Sequence, residues 1–561
     1  MFIKKIIFVL LVYLFYQSHV YSKSNTFINL DSESVIKYFS GIVAFENNDN
    51  SNALKFFSSS KILIDKHDPY LKNYVYSLVL QDKIPQAISL IKRNKDKDNS
   101  NFFDAHLLLI IDSLKKNDYD QAQFLIKKIS QTYQYDRFNS AIIESLKEYI
   151  FVFKEKKMPN DNKDYGKLSN ISEAFQRCYL SDIKTDTFFS NLYNDVSADY
   201  TRYIFFYLSY LIENSKISEA EKKVKEINFI NTTLLLSQAK SWIENNNSEQ
   251  LTKVFSCKNS NDIISEFLFL ISNLYSSQDD FNKSNFYLNL SYFLNPNFVF
   301  NLSLVAENHY LNGDYKKAKK ILRNFKKEEN FYYWYRIKKE AQIIAKEQNK
   351  NVSLNYITTQ FNKINSPNNK IIFDLANFYK SSEKYNKAIK YYTKIIDTLD
   401  DDSDIKSDLF YRRGASYERI NDYKNADKDL LNALKLKSDD AYILNYLAYS
   451  WLERNYKISE AIIMLEKAYE AESDDPYIID SIGWAYYLIN DFIKAEEFMK
   501  RAVELMPDDP IVNDHYGDIL WKLNRRIQAR YFWKNVLKMD DADEEIIESI
   551  NKKMIDGLES S

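Results

Sequence analysis

Residues 476–509, PYIIDSIGWAYYLINDFIKAEEFMKRAVELMPDD, decide the fold. The stretch predicts two helices joined by a turn. Gly483 and Ala495 stand twelve apart and Ala502 follows seven later. Pro507 closes the second helix, because proline has no amide to continue it. Glycine or alanine at these places lets the two helices, and the first helix of a following unit, approach closely. Ile482, Tyr486 and Met499 then fill the space between them.

Working outward, the same pair of small residues recurs. Upstream come Ala448/Ala461, with one residue inserted, then Gly414/Ala426, Ala376/Ala388 and Ala306/Ala318; downstream comes Gly517/Ala529. From Gly414 the steps are 34, 35 and 34 residues, a period that marks a repeat array. This spacing is the tetratricopeptide (TPR) pattern, and the chain resembles that family over most of its length. The implied fold is all-α, a right-handed TPR superhelix of helix-turn-helix units. The regular array is expected over 370–543, with a polar capping helix and tail over 544–561. Nearer the N-terminus the pattern decays. Gly41/Ala53 with Phe57, Ala87 with Ile91, Ala122 with Leu125, and Ala220 with Val224 keep only the second-helix half of the unit. Degenerate arrays are therefore expected over 23–153 and 201–369. The charged stretch Lys154 to Ser169, with its Pro and Gly, opens an irregular linker over 154–200.

Composition agrees. A chain of 561 residues is too long for one compact core and suits an array. Seven glycines and eight prolines favour long helices over a turn-rich β-fold. The net charge of −2, from 76 basic and 78 acidic residues, offers no global attraction for nucleic acid or an anionic bilayer. The 44 tyrosines and 37 phenylalanines accompany abundant Asn, Lys and Ile, which is the bias of an AT-rich genome rather than a sign of a sticky surface. Cys178 and Cys257 are too few and too far apart for a disulfide framework or a CxxC site. One bridge between them is possible in an oxidising compartment, and two unpaired core residues is the reading preferred here.

The N-terminus indicates export. Lys4 and Lys5 precede an apolar run, Ile6 to Tyr16, and then a polar stretch ending at Ser22, the layout of a secretory signal over 1–22. The run is shorter than the roughly 20 residues of a membrane span. Cleavage after Ser22 and a periplasmic protein are expected, with an uncleaved inner-membrane anchor as the alternative. No cysteine near the site would carry a lipid.

Catalytic chemistry finds no seat. No GxGxxG or GxxxxGK frame exists to cradle phosphate, and His19, His67, His106, His309 and His515 form no HExxH-like ligand pair. His515 is read as a capping or packing residue. The five aspartates within Asp397–Asp404 lack the glycine and terminal glutamate of a calcium loop and read as a solvated turn. No cofactor or metal is expected, and the chain is read as a non-enzyme. A site grafted into the irregular region, about Asp136 to Tyr200, is the catalytic alternative.

The groove remains. In a TPR stack the first helix of each unit lines the concave face. Residues one turn apart on these helices are Tyr411, Ala415 and Glu418; Tyr442, Asn445, Tyr449 and Leu452; Tyr477, Asp480, Trp484 and Tyr487; and Asp514, Asp518 and Trp521. This is an aromatic and acidic stripe. The candidate partner-binding residues are Tyr411, Tyr449, Trp484, Tyr487, Asp518 and Trp521. The Lys and Asn of a carboxylate clamp, as in co-chaperones, are missing from the equivalent places, so a neutral or basic, apolar-rich peptide suits the stripe.

Two segments, DSIGWAYYLINDFIKAEEFMKRAVELMPDDP and VNDHYGDILWKLNRRIQARYFWKNVL, also resemble the C-terminal repeats of bacterial envelope TPR proteins. That group includes lipoprotein adaptors of periplasmic carboxyl-terminal processing proteases. The resemblance implies a non-catalytic scaffold that holds such a protease or its substrates, although the lipidated cysteine is absent. A structural component of an envelope assembly or secretion apparatus is the alternative role.

Overall fold

A computed structural model describes residues 31–558, apart from 133–136, 161–163, 196–200, 231, 328–329, 401–402 and 540. The export segment, Lys4 to Ser22, lies outside the described residues, as does His19. Every regular element among the described residues is helical. The chain divides into two compact units, 1–227 with 232–343, and 228–231 with 344–561.

The second unit is a TPR α-solenoid of paired antiparallel helices. Its pairs include Asn369–Ser381 with Tyr385–Ile396, Ile405–Glu418 with Tyr423–Leu436, Ala441–Glu453 with Ile458–Ala471, Pro476–Leu488 with Phe492–Leu505, and Pro510–Lys522 with Arg526–Val536. Short-range chemistry sets each boundary. Asp440, Asp475 and Asp509 each accept two backbone N–H groups at the start of a first helix, satisfying donors that have no partner inside the helix. The first helix stops where one residue turns left-handed: Glu383, Asn421, Asn490 and Asn524 have φ of 60°, 60°, 63° and 62°. The next amide then reaches back to close the end, as Asp491 N does to Tyr486 O at 2.9 Å. Asp422 and Asp491 in turn cap the second helix by accepting from the amides of Asn425 and Lys494. The inserted residue in the Ala448/Ala461 unit is absorbed in this turn, where both Asn455 and Lys457 are left-handed, with φ of 52° and 49°.

The small residues sit at the helix contacts. Ala388, Ala426, Ala461, Ala495 and Ala529 are fully buried. A Cβ on Gly483 would lie 3.1 Å from Met499 Cε, and one on Gly517 would lie 2.4 Å from the Trp533 indole. Trp533 is itself fully buried, and its Nε1 donates to Asp518 Oδ1 at 3.0 Å. The final helix, Glu544–Asp556, covers the last pair through Ile550, which is fully buried.

In the first unit the chain folds back on itself rather than running on as an open stack. Asn282 Nδ2 donates to Asn48 Oδ1 at 2.8 Å, Asn289 Nδ2 to Val79 O at 2.8 Å, and Lys115 Nζ to Leu294 O at 2.8 Å. Tyr76 stacks on Phe286 with ring centroids 4.7 Å apart. One continuous apolar core runs from Tyr38 to Ile343. Within the stretch expected as a linker, two helices form, Lys167–Leu180 and Thr185–Asn194, and Phe175 and Phe189 anchor them in that core. Arg202 holds the buried Glu266 by two hydrogen bonds of 2.8 Å, with Phe269 against the guanidinium at 3.9 Å. This pairing makes a buried carboxylate tolerable.

The cysteines correct the preferred reading. Cys178 and Cys257, both 1% exposed, form a disulfide with Cα atoms 5.6 Å apart. Their separation of 79 residues hid the pairing, because only the packing of the helix Lys167–Leu180 beside the loop after Glu249–Val254 brings them together.

Two outcomes are expected. Gly517→Ala lowers the melting temperature more than Gly483→Ala, because a packed indole cannot yield as a methionine terminus can, and overpacking of this kind costs about 1–3 kcal/mol. Equal shifts would refute the packing argument. Cys178→Ser destabilises the first unit by roughly 2–4 kcal/mol, and thiol titration of the native protein finds no free cysteine until it is both unfolded and reduced.

Candidate binding surface of the C-terminal repeats

Five first helices of the second unit lie side by side, so residues a repeat apart become neighbours. Tyr411 is half-buried, with its ring edge-on to Tyr446 at 5.5 Å, and Tyr446 OH donates to Glu418 Oε2 at 3.1 Å. Tyr449 is half-buried on the next helix. Burial, with Glu453 and Asp480 beside it, raises the pKa of its phenol and keeps it neutral. Trp484 then forms the centre of a stack, parallel to Tyr487 at 4.6 Å and to the His515 ring at 4.0 Å.

His515 does more than pack. Its Nδ1 lies 2.9 Å from Asp480 Oδ1, which accepts across adjacent repeats. Burial alone would lower the imidazole pKa, but Asp480, with Asp514 and Asp518 beyond it, lifts it above its ordinary value. Two further acidic members of the stripe are also paired. Lys553 of the final helix donates to Asp514 at 2.7 and 2.8 Å and to Asp518 at 2.9 Å. Asp518 is 5% exposed and also accepts from Trp533. Trp521 lies against Trp533 at 5.3 Å, has Arg526 and Arg530 over its ring at 5.1 and 4.9 Å, and abuts the backbone at Gly557, where a Cβ would lie 2.0 Å away.

The structure therefore separates the six candidates. Trp484 and Tyr487 stack on each other, Tyr449 on the preceding first helix lies near Asp480, and Tyr411 packs on Tyr446. Asp518 and Trp521 instead have intramolecular partners, because the final helix occupies the end of the groove. The expected acidic character is corrected in the same way, since Asp480, Asp514 and Asp518 are already matched by His515 and Lys553. What remains open is an apolar ladder at one equivalent place on three first helices: Tyr442 is 54% exposed, Tyr477 61% and Ile511 46%. Their steps of 35 and 34 residues were legible in the sequence, but their exposure was not.

Among the described residues no group of three or more His, Cys, Asp or Glu could hold a metal ion, and no helix is long and apolar enough to cross a membrane.

The repeats are recognised independently. Models of the tetratricopeptide repeat match residues 372–406, 407–440 and 478–509. Tetratricopeptide repeats are protein-interaction modules, and three stretches of the second unit match them. A TPR repeat-containing protein of Pseudomonas aeruginosa is 34% identical over 93 residues, which is 17% of this chain and 16% of that relative. Among solved structures, a tetratricopeptide repeat protein from Parabacteroides merdae matches 46% of this chain and 98% of its own, at 16% identity and a TM-score of 0.38. PilF of Pseudomonas aeruginosa matches 33% of this chain and 86% of its own, at 16% identity and a TM-score of 0.29. MamA of Desulfovibrio magneticus matches 31% and 97%, at 18% identity and a TM-score of 0.28.

The His515–Asp480 pair makes the second unit pH-sensitive. With the folded pKa raised, the charged imidazole contributes stability that is fully present below about pH 6.5 and is lost as pH rises through the folded value. The expected result is a melting temperature that falls as pH rises above about 6.5 in the parent and falls less in His515→Gln. Parallel profiles would remove His515 as the cause.

Proposed function

We propose that this chain is a non-catalytic adaptor of the bacterial cell envelope, whose second unit holds an apolar segment of a partner protein along its first helices. The observation that carries the reading is the exposed ladder Tyr442, Tyr477 and Ile511 beside the Tyr449–Trp484–Tyr487 strip. Aromatic side chains supply large contact area at low entropic cost and dominate interface energetics. With the strip's acidic groups paired internally, shape and apolar surface select the partner, and a basic segment gains little. A periplasmic processing protease, or a substrate delivered to one, is the partner class that the resemblance of roughly Gly414 to Leu537 suggests.

Two features support export to the periplasm: the signal-like segment ending at Ser22, and the buried Cys178–Cys257 disulfide, which forms and persists in oxidising compartments. A mature protein beginning at Met1 in the cytoplasm would contradict this.

The test is affinity capture with the exported protein, followed by titration of the recovered partner. Replacing Tyr442 and Tyr477 by alanine is expected to weaken binding by about 2 kcal/mol or more, because truncating an interface anchor has that effect. Their exposure predicts an unchanged melting temperature. Full affinity in the folded double variant would move the interface elsewhere, and recovery of stoichiometric structural subunits would favour an assembly component over an adaptor.

A further inference from the structure

The first unit has a half-open cavity of about 510 Å³ where its N-terminal helices meet Ser260–Ser276 and Phe281–Leu294. Aromatic rings form its walls: Tyr76 stacks on Phe286 at 4.7 Å and meets Phe45 edge-on at 5.6 Å, while Tyr275 stacks on Tyr287 at 5.6 Å. Asp104, in the first turn of the helix Phe103–Lys115, lies on the lining. Its side chain is half-buried. Burial raises its pKa, and Lys72 and Lys283 pull it back.

Both lysines are exposed and line the same cavity, yet among the described residues neither pairs with Asp104. Lys283 instead approaches Asp280 at 3.5 Å. Among the described residues the Asp104 carboxylate has no hydrogen-bond donor. Opposite charges are thus held apart across a space walled by aromatic rings, and an unpartnered carboxylate lies on its wall. Glu46 and Asp280 also lie on the lining, so a simple anion entering would meet three carboxylates, and a simple cation would meet two lysines. A molecule carrying both signs matches both. The volume falls in the roughly 300–1,000 Å³ range of ligand sites, which accommodates a molecule of two or three residues.

We propose that this cavity is a binding site for free short peptides, with the peptide ammonium on Asp104, its carboxylate toward Lys72 and Lys283, and a side chain against Tyr76 and Phe286. The site shares no residue with the strip of the second unit, so it stands or falls apart from the adaptor reading.

Equilibrium dialysis of the full chain against a random-sequence tripeptide mixture with free ends, read by mass spectrometry, tests this. Retention by the parent is expected, with at least a tenfold loss in Asp104→Asn and in the double variant Lys72→Gln, Lys283→Gln. Asp104→Asn removes a charge that burial disfavours, so its fold is expected to hold, and circular dichroism checks it. The parent protein supplies a test that needs no variant, because N-acetylated and C-amidated forms of the mixture should be released. No retention of the free mixture, equal retention of the blocked mixtures, or undiminished retention by folded Asp104→Asn would overturn the proposal.

Discussion

The close approach of two helices at a small residue is the contact on which the second unit depends. Wherever Gly414, Gly483 or Gly517 meets the facing helix, the space that a methyl group would need is already taken by Leu430, Met499 or Trp533. The fully buried alanines of the second helices complete the contact from the other side. A tight pair presents a narrow ridge to the next pair, so neighbouring first helices also touch, and residues about 34 positions apart become adjacent. The strip exists because of this translation: Trp484 stacks on His515, and Asp480 reaches His515 across the same seam.

Charge is handled differently in the two units. In the second, buried carboxylates are matched within the fold by His515 and Lys553, so the final helix both shields the last apolar pair and neutralises the acidic end of the groove. In the first, Glu266 is matched by Arg202, whereas Asp104 faces a cavity with its nearest cations held at a distance. A matched buried carboxylate stabilises the fold or is neutral to it. An unmatched one on a concave surface is a candidate ligand contact.

Much of the local structure was legible in the residues. Aspartate before Ala441, Pro476 and Pro510, asparagine at positions 421, 490 and 524, and the period of small residues predict helix starts, helix ends and pairing from interactions within a few residues of each other. The strip was legible in part, since Tyr449, Trp484 and Tyr487 come from the same spacing. The fate of Asp518 and Trp521 was not, because they stand at places equivalent to Trp484 and Tyr487 and differ only in the element packed against them: one pair meets another repeat, the other meets the helix Glu544–Asp556.

The sequence by itself determined an all-helical repeat architecture, because helix capping, left-handed turns and close small-residue contacts act over a few residues or recur at a constant interval. Only the tertiary structure decided which faces stay open and which distant groups meet. Cys178 and Cys257 join across 79 residues, Asn48 meets Asn282, and Lys553 closes on Asp514 and Asp518. Such pairings depend on how far the chain bends between them, and that is set by the summed packing of all the intervening helices rather than by any one stretch of residues.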